Sequence, residues 1–280
     1  MKRLFASFFV LSLGLGLIYL YLQSPSHDRV WAEDFSRLSE AVATDDTVTI
    51  TNVRDWQYSD SEVVERVWLD EVVINPADIT EVWFVVTPFG ATQLAGHTFL
   101  TFELVSGEAY SFSIEARREA DEAYSAPVGL FRQFELIYVW STERDALTRR
   151  IIKDAEALRL HRLELSVSDA QTLFKTVVAA TEQLAQEPRF YNTLTANCTN
   201  LLAKTINARY PDTIPYHYSW NLPGNSDEFL INQGYIATPT STEQTIAAAG
   251  LQQHVPSLLP FIHKSPLDFS VAVRKSLGGL

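Results

Sequence analysis

The stretch Thr195-Ala196-Asn197-Cys198-Thr199-Asn200 contains the only cysteine among 280 residues. Thiol chemistry requires the thiolate, and the surroundings of Cys198 favour that form. Either Thr195 or Asn197 can cap the helix that follows, and both place the sulfur in its first turn. Unpaired backbone N–H groups and the positive end of the helix dipole stabilise negative charge there. Such positions bring a cysteine pKa from about 8.5 down to roughly 3.5–7.5. The competing reading is a small inert core residue, because Leu194, Cys198, Leu201, Leu202, Thr205 and Ile206 share one helical face.

A thiol nucleophile needs a base, and the chain has six histidines. His27 follows an N-terminal apolar run, His254 and His263 lie in a weakly patterned tail, and His161 opens a strand after a charged segment. His97 in "GHTF" and His217 in "PYHYSW" remain. The runs His97–Leu104 and Ala109–Arg117 alternate in polarity and flank Val105-Ser106-Gly107-Glu108, a hairpin signature. With a three-residue loop ending at Gly107, Leu104 faces Glu108 and His97 faces Glu115. Such neighbours sit about 4.5–5.5 Å apart at Cβ. Glu115 can then fix the imidazole tautomer and stabilise the imidazolium. A two-residue loop would put the two side chains on opposite faces. Ser113 and Glu103 are the fallback orienters. The Cys198 N–H and the Asn197 side chain are candidate oxyanion donors. Ser111, Ser113, Glu115 and Arg117 share a strand face that is either solvated or a polar cleft wall. In the second case Arg117 and Arg132 could bind an anionic head group or carboxylate.

The elements that must position these residues follow from periodicity. Val30–Val42 predicts a short amphipathic helix, Val48–Val53 a strand, and Glu81–Pro88 a buried strand. Phe131–Trp140 and His161–Val167 predict further strands, and Arg144–Leu158 a charged helix. Ser168 and Gln171 match a capping box for a long helix ending near Gln186, and Cys198–Asn207 predicts the helix that carries the thiol. Strands grouped before helices predict an α+β fold with an antiparallel sheet packed on helices.

The net charge, 22 − 34 = −12, disfavours nucleic-acid binding. No spacing of metal ligands, phosphate loop or dinucleotide fingerprint occurs, so neither metal nor cofactor is expected. Lys2 and Arg3 precede Leu4–Leu22, an uncharged run of nineteen residues. At about 1.5 Å per residue it spans roughly one hydrocarbon core. Residues 1–23 are therefore expected to form an inner-membrane anchor with the rest of the chain exported, a cleaved signal being the alternative. A single thiol in an oxidising compartment is buried, shared between chains or reactive.

"DRVW", "TNVRDWQY", "GHTFLTFEL", "SFSIEARREADEAYS", "FRQFELIYVWSTERD", "FYNTLTANCT" and "LPGNSDEFL" follow one another between residues 28 and 230. In this order they resemble the family of the periplasmic N-terminal domain of the lipoprotein N-acyltransferase Lnb. The resemblance covers residues 28–236, between the anchor and a C-terminal extension at 237–280. It implies an exported cysteine-dependent domain in the periplasm, with His97 and Cys198 at the family's His and Cys and Glu115 at its acidic strand residue. The order of His before Cys also resembles permuted papain-like (NlpC-type) enzymes. Transferases of this kind carry a multi-helix membrane part after the domain. The tail "SVAVRKSLGGL" is too short and too charged to span a membrane, so a partner membrane protein could supply that part. The expected function is acyl transfer through an acyl-cysteine, with a lipoprotein or phospholipid as substrate, or hydrolysis. The alternatives are a cysteine peptidase or amidase on cell-wall peptides, and a non-catalytic anchored accessory protein.

Overall fold

The alternating runs do build strands, and the turn between the two central ones sets their register. The computed structural model describes residues 14, 16, 20, 22–60 and 62–278. Its strands are β1 (Ala41–Ala43), β2 (Val48–Arg54), β3 (Gln57–Ser59), β4 (Glu62–Glu65), β5 (Trp68–Ile74), β6 (Ile79–Phe89), β7 (Ala95–Leu104), β8 (Ala109–Arg117), β9 (Glu135–Thr142) and β10 (Arg159–Arg162). Eight form one sheet in the order β1-β2-β9-β8-β7-β6-β10, with β5 also paired to β2; β3 and β4 form a separate hairpin. Gly107 takes φ +87°, a left-handed conformation natural to glycine. Its N–H bonds the Leu104 carbonyl, and the Leu104 N–H bonds Glu108. The observed pairs run from Glu103 opposite Ala109 to Phe99 opposite Ser113, the register expected of a three-residue loop.

The helices are α1 (Glu143–Thr148), α2 (Val167–Gln186), α3 (Cys198–Arg209), α4 (Ser226–Asn232), α5 (Thr242–Ala248), α6 (Val255–Leu258) and α7 (Pro266–Ser276). Successive strand residues point to opposite faces, so β6 and β7 feed two cores. Val82, Phe84, Leu100 and Phe102 pack with Phe174 and Val177 of α2 and with Leu201 and Leu202 of α3. Trp83, Val85 and Phe99 pack on the other face with Leu147, Leu251, Leu258, Phe269 and Val273.

Four expectations are corrected. The sheet is mixed rather than antiparallel, because Arg54 of β2 pairs with Ser141 of β9 in parallel. No hairpin joins those two strands, so no local turn dictates their relative direction. The expected transmembrane helix is not supported either: among the described residues no helix is long and apolar enough to cross a membrane. Most of the stretch on which it was placed lies outside the described residues. Val30–Val42 forms only a 3₁₀ turn at Glu33–Phe35 before β1. The charged helix stops at Thr148 and continues as a π-helical turn, Arg149–Lys153.

Candidate active site

β7 and β8 pair no further than Phe99 and Ser113. Beyond that point β7 stays with β6 up to Ala95, and β8 stays with β9 up to Arg117. The strands therefore open a notch in the middle of the sheet, and α3 packs against both of its sides. Leu104 directs its N–H at β8, so by alternation Thr98 does too. With the ladder ended, the Thr98 N–H is free of Ile114 and bonds the Cys198 sulfur instead. The Thr199 hydroxyl is 3.6 Å from the same sulfur and 2.8 Å from the Thr98 hydroxyl.

His97 completes the notch from β7. Its Nε2 is 2.8 Å from the Ser113 hydroxyl and 3.1 Å from Glu115 Oε1. Ser113 in turn donates to Glu115 Oε1 at 2.8 Å. Nε2 is thus committed to the orienting pair, which leaves Nδ1 available to Cys198. Imidazole, serine and carboxylate form one hydrogen-bonded chain across the sheet, with the sulfur electrostatically coupled to the imidazole.

The electrostatics of this chain favour charge separation. Burial alone would raise the Cys198 thiol. The His97 charge and hydrogen bond, the Thr98 N–H and the Thr199 hydroxyl outweigh it and bring the thiol down to about 7. Burial would likewise lower the His97 pKa, but Glu115 and then Cys198 raise it to about 9. Burial opposes the Glu115 charge, yet His97 and then Arg150 and Arg149 hold its carboxyl well below the usual range. Near neutral pH a large share of the thiol is therefore ionised beside a protonated imidazole, and the thiolate is the reactive form of a cysteine.

The helix start is built by Asn197, whose Oδ1 accepts the N–H groups of Thr199 and Asn200. Asn200 returns the bond to the Asn197 N–H at 2.9 Å, closing a capping box. Both Nδ2 protons of Asn197 go to backbone carbonyls, those of Thr193 and Trp220. Asn197 is therefore a cap and loop brace with no side-chain donor left for a substrate oxygen. The Cys198 N–H, at the first helical position, has no acceptor within the helix.

The two arginines do not join this site. Arg117 is buried, its guanidinium 4.1 Å from the Trp31 ring, with Nε bonding the Phe35 carbonyl. It braces the N-terminal segment against the sheet. Arg132 is exposed, lies against the Phe190 ring and donates to the Leu20 carbonyl. His217 is also structural: it stacks on Phe229 with centroids 4.6 Å apart and caps the turn at Tyr218–Trp220.

Three further contributors escaped the sequence reading. The Thr98 N–H carries no signal in a residue type. Arg150 sits 3.5 Å from Glu115, aimed there by the π-helical turn. The hydroxyls of Tyr124 and Tyr191 are 3.3 Å apart. Burial and the nearby Cys198 charge push both phenols up, so they stay protonated beside the thiolate.

A sequence model described as the Lnb N-terminal periplasmic domain matches residues 67–221. That span contains the whole chain of groups from Cys198 to Glu115. No curated protein and no solved structure matches the chain, so the permuted papain-like core implied by resemblance gains no support there.

Proposed function

Because the chain belongs to the Lnb N-terminal periplasmic domain family, we propose that it is a periplasmic thiol enzyme that forms an acyl-cysteine intermediate. The observation that carries this reading is the hydrogen-bonded line from His97 to Ser113 and Glu115, with Cys198 coupled to the imidazole at its other side. The thiolate attacks an ester carbonyl, and negative charge develops on its oxygen beside the Cys198 N–H. His97 gives its Nδ1 proton to the leaving oxygen as the carbon–oxygen bond breaks, leaving a thioester. Neutral His97 then takes a proton from an incoming amine or water, which attacks the thioester and frees the thiolate. Glu115 stays ionised throughout and orients the ring. The proposed acyl donor is a lipoprotein or phospholipid, and the acceptor an amine or water.

The test is the pH dependence of Cys198 alkylation by iodoacetamide in wild type and in His97→Ala. The wild-type rate should rise with a midpoint near 7. In His97→Ala the rate at pH 6 should fall about 30-fold or more, as expected when a thiol returns to an ordinary pKa near 8.5. Equal profiles in the two proteins, or a thiol silent until the chain unfolds, would remove the reading.

A further inference from the structure

Three arginines line a small space beside the imidazole, Arg54 of β2 and Arg149 and Arg150 of the π-helical turn, together with His97, Ser113 and Glu115. Two of the three are paired with other acids. Arg54 is held by Asp145, 2.8 Å from its Nη2, and Arg149 by Asp34 at 2.9 Å. Arg150 reaches Glu115: its Nη2 is 3.5 Å from Oε1. The same oxygen meets the Ser113 hydroxyl at 2.8 Å and His97 Nε2 at 3.1 Å. One carboxylate oxygen is therefore held from β7, β8 and the π-helical turn at once.

The turn is what brings two successive arginines to this place. The Asp154 N–H bonds the Arg149 carbonyl five residues back, and the Glu156 N–H bonds that of Arg150. Widening of this kind is frequent at functional sites. Arg150 Nη1 lies 3.3 Å from Glu156 and 3.9 Å from Asp154. Gln252, in the C-terminal segment, ties down the Glu156 carbonyl and the Leu158 N–H. The guanidinium is thus anchored on one side while the other faces Glu115.

The chemistry gives such a cation a task. In the resting site Glu115 faces an imidazolium. Once His97 has passed its proton to the leaving group, the ring is neutral and the sulfur is a thioester. The buried carboxylate then depends on a cation that does not lose its proton, and arginine is that cation. The same charge weighs against the imidazolium, because two cations compete for one oxygen. Resting on the thiol reading above, we infer that Arg150 is a positioning residue that shares Glu115 with His97, so that the imidazole can give up its proton and retake one while the carboxylate stays ionised and in place. The other charges around the pair are Arg54 and Arg149 with Asp145 and Asp34, the acids Asp154 and Glu156 on Arg150, and the Cys198 sulfur from α3. The Tyr124 and Tyr191 phenols stay protonated.

The test uses the full chain and p-nitrophenyl acetate. The Cys198 sulfur bonds the carbonyl carbon and p-nitrophenolate leaves in a burst. Water then bonds that carbon as its proton goes to neutral His97, and the carbon–sulfur bond breaks to free acetic acid and the thiolate. Loss of the acetyl-enzyme, followed by mass spectrometry across pH, should rise with a midpoint that reports His97. In Arg150→Gln the imidazolium loses its competitor, so this midpoint should move up by about one pH unit and the rate at pH 7 should fall about tenfold. The contact is a single one, so the point charge of Arg150→Lys should keep the rate within about threefold of wild type. Glu156→Gln relieves Arg150 of one of its other acids and should move the midpoint down. That variant decides the matter should Arg150→Gln fail to give a cooperative melt, and a midpoint that stays or rises in it overturns the inference. So does an unmoved midpoint in Arg150→Gln, with or without a loss of rate, or a loss that Arg150→Lys does not restore; the thiol chemistry then stands. A burst that survives in Cys198→Ala removes the thiol reading itself and this inference with it.

Discussion

Among the described residues two histidine–carboxylate pairs stand out, His97 with Glu115 and His161 with Asp227, and the first lies beside a thiol. His97 on β7 faces Glu115 on β8, with side chains 11% and 19% exposed. His161 on β10 faces Asp227 of α4, with side chains 2% and 0% exposed and the same 3.1 Å separation. The distances are indistinguishable, so distance does not make a catalytic pair. The difference lies in what surrounds them. Asp227 is shared with Arg159, whose Nε is 2.6 Å away, and it is sealed from solvent. Arg159 also bonds the Gly224 carbonyl, which locks the turn at residues 223–225. The Gly224 N–H bonds Leu94 just before β7 begins. The second pair therefore holds the frame on which the first is mounted. A histidine becomes chemical here only where its other nitrogen meets a group that can carry the opposite charge.

The strongest way to break this contrast is to remove Asp227. Asp227→Ala leaves the buried end of Arg159 without a carboxylate, a change that costs roughly 3–5 kcal/mol in buried pairs. A urea titration should show the lowered midpoint. In the fraction that remains folded, the alkylation midpoint of Cys198 should stay near 7. A shifted midpoint would mean that the second pair tunes the thiol and does not merely support it.

Gly224 tests the mount itself. A Cβ there would lie 2.0 Å from the Gln93 carbonyl oxygen and 2.8 Å from that of Leu94. Gly224→Ala must push the turn away from β7, and overpacking of this kind costs about 1–3 kcal/mol. Thermal melting reads the stability. Unchanged melting would show that the turn yields without loss, and the link between the two pairs would fail.

Glu115→Gln addresses the chemical pair. An opposite charge at this range moves a pKa by roughly 1–3 units, so the His97 limb of a bell-shaped rate profile should fall from about 9 by that amount. The thiol limb should rise from about 7, since a less stable imidazolium supports the thiolate less. Stability follows the same sign. The folded His97 pKa exceeds the unfolded value of about 6.5. Its contribution is thus full below 6.5 and is lost as pH rises through about 9. In Glu115→Gln that alkaline loss should flatten, which urea midpoints across pH will show.

Much of this site was legible because short-range rules fix it. The loop Val105-Ser106-Gly107 dictates the register down to Phe99 opposite Ser113, beyond which the strands part and the His97 and Glu115 side chains meet across the opening. Either candidate cap, Thr195 or Asn197, puts the sulfur in the first turn, and Asn197 takes the role. What stayed hidden depends on partners remote in the chain. Asn197 looked like an oxyanion donor because the Trp220 carbonyl that consumes its amide is 23 residues away. Arg117 looked like a cleft residue because nothing local says that Trp31 covers it. Ser168 looked like a cap, yet Ser166 takes that role through Asp169, two equivalent serines being separable only by backbone direction. The parallel neighbours β2 and β9 belong to the packing of distant elements, which periodicity does not report.

The smallest expected effect sharpens the comparison most. In the chemical pair Ser113 stands between histidine and carboxylate, bonded to both at 2.8 Å; His161 and Asp227 meet directly. Ser113→Ala removes that relay but leaves the 3.1 Å contact of His97 with Glu115. A single neutral hydrogen bond is worth about 0.5–1.5 kcal/mol, so the alkylation rate below the thiol midpoint should fall only about two- to tenfold. Glu115→Gln, in the same assay, should lose more, because it removes the charge rather than one of two routes to it. If Ser113→Ala matches or exceeds that loss, the hydroxyl is the true orienter of His97. The carboxylate would then act through it, and the two pairs would differ in wiring as well as in neighbours.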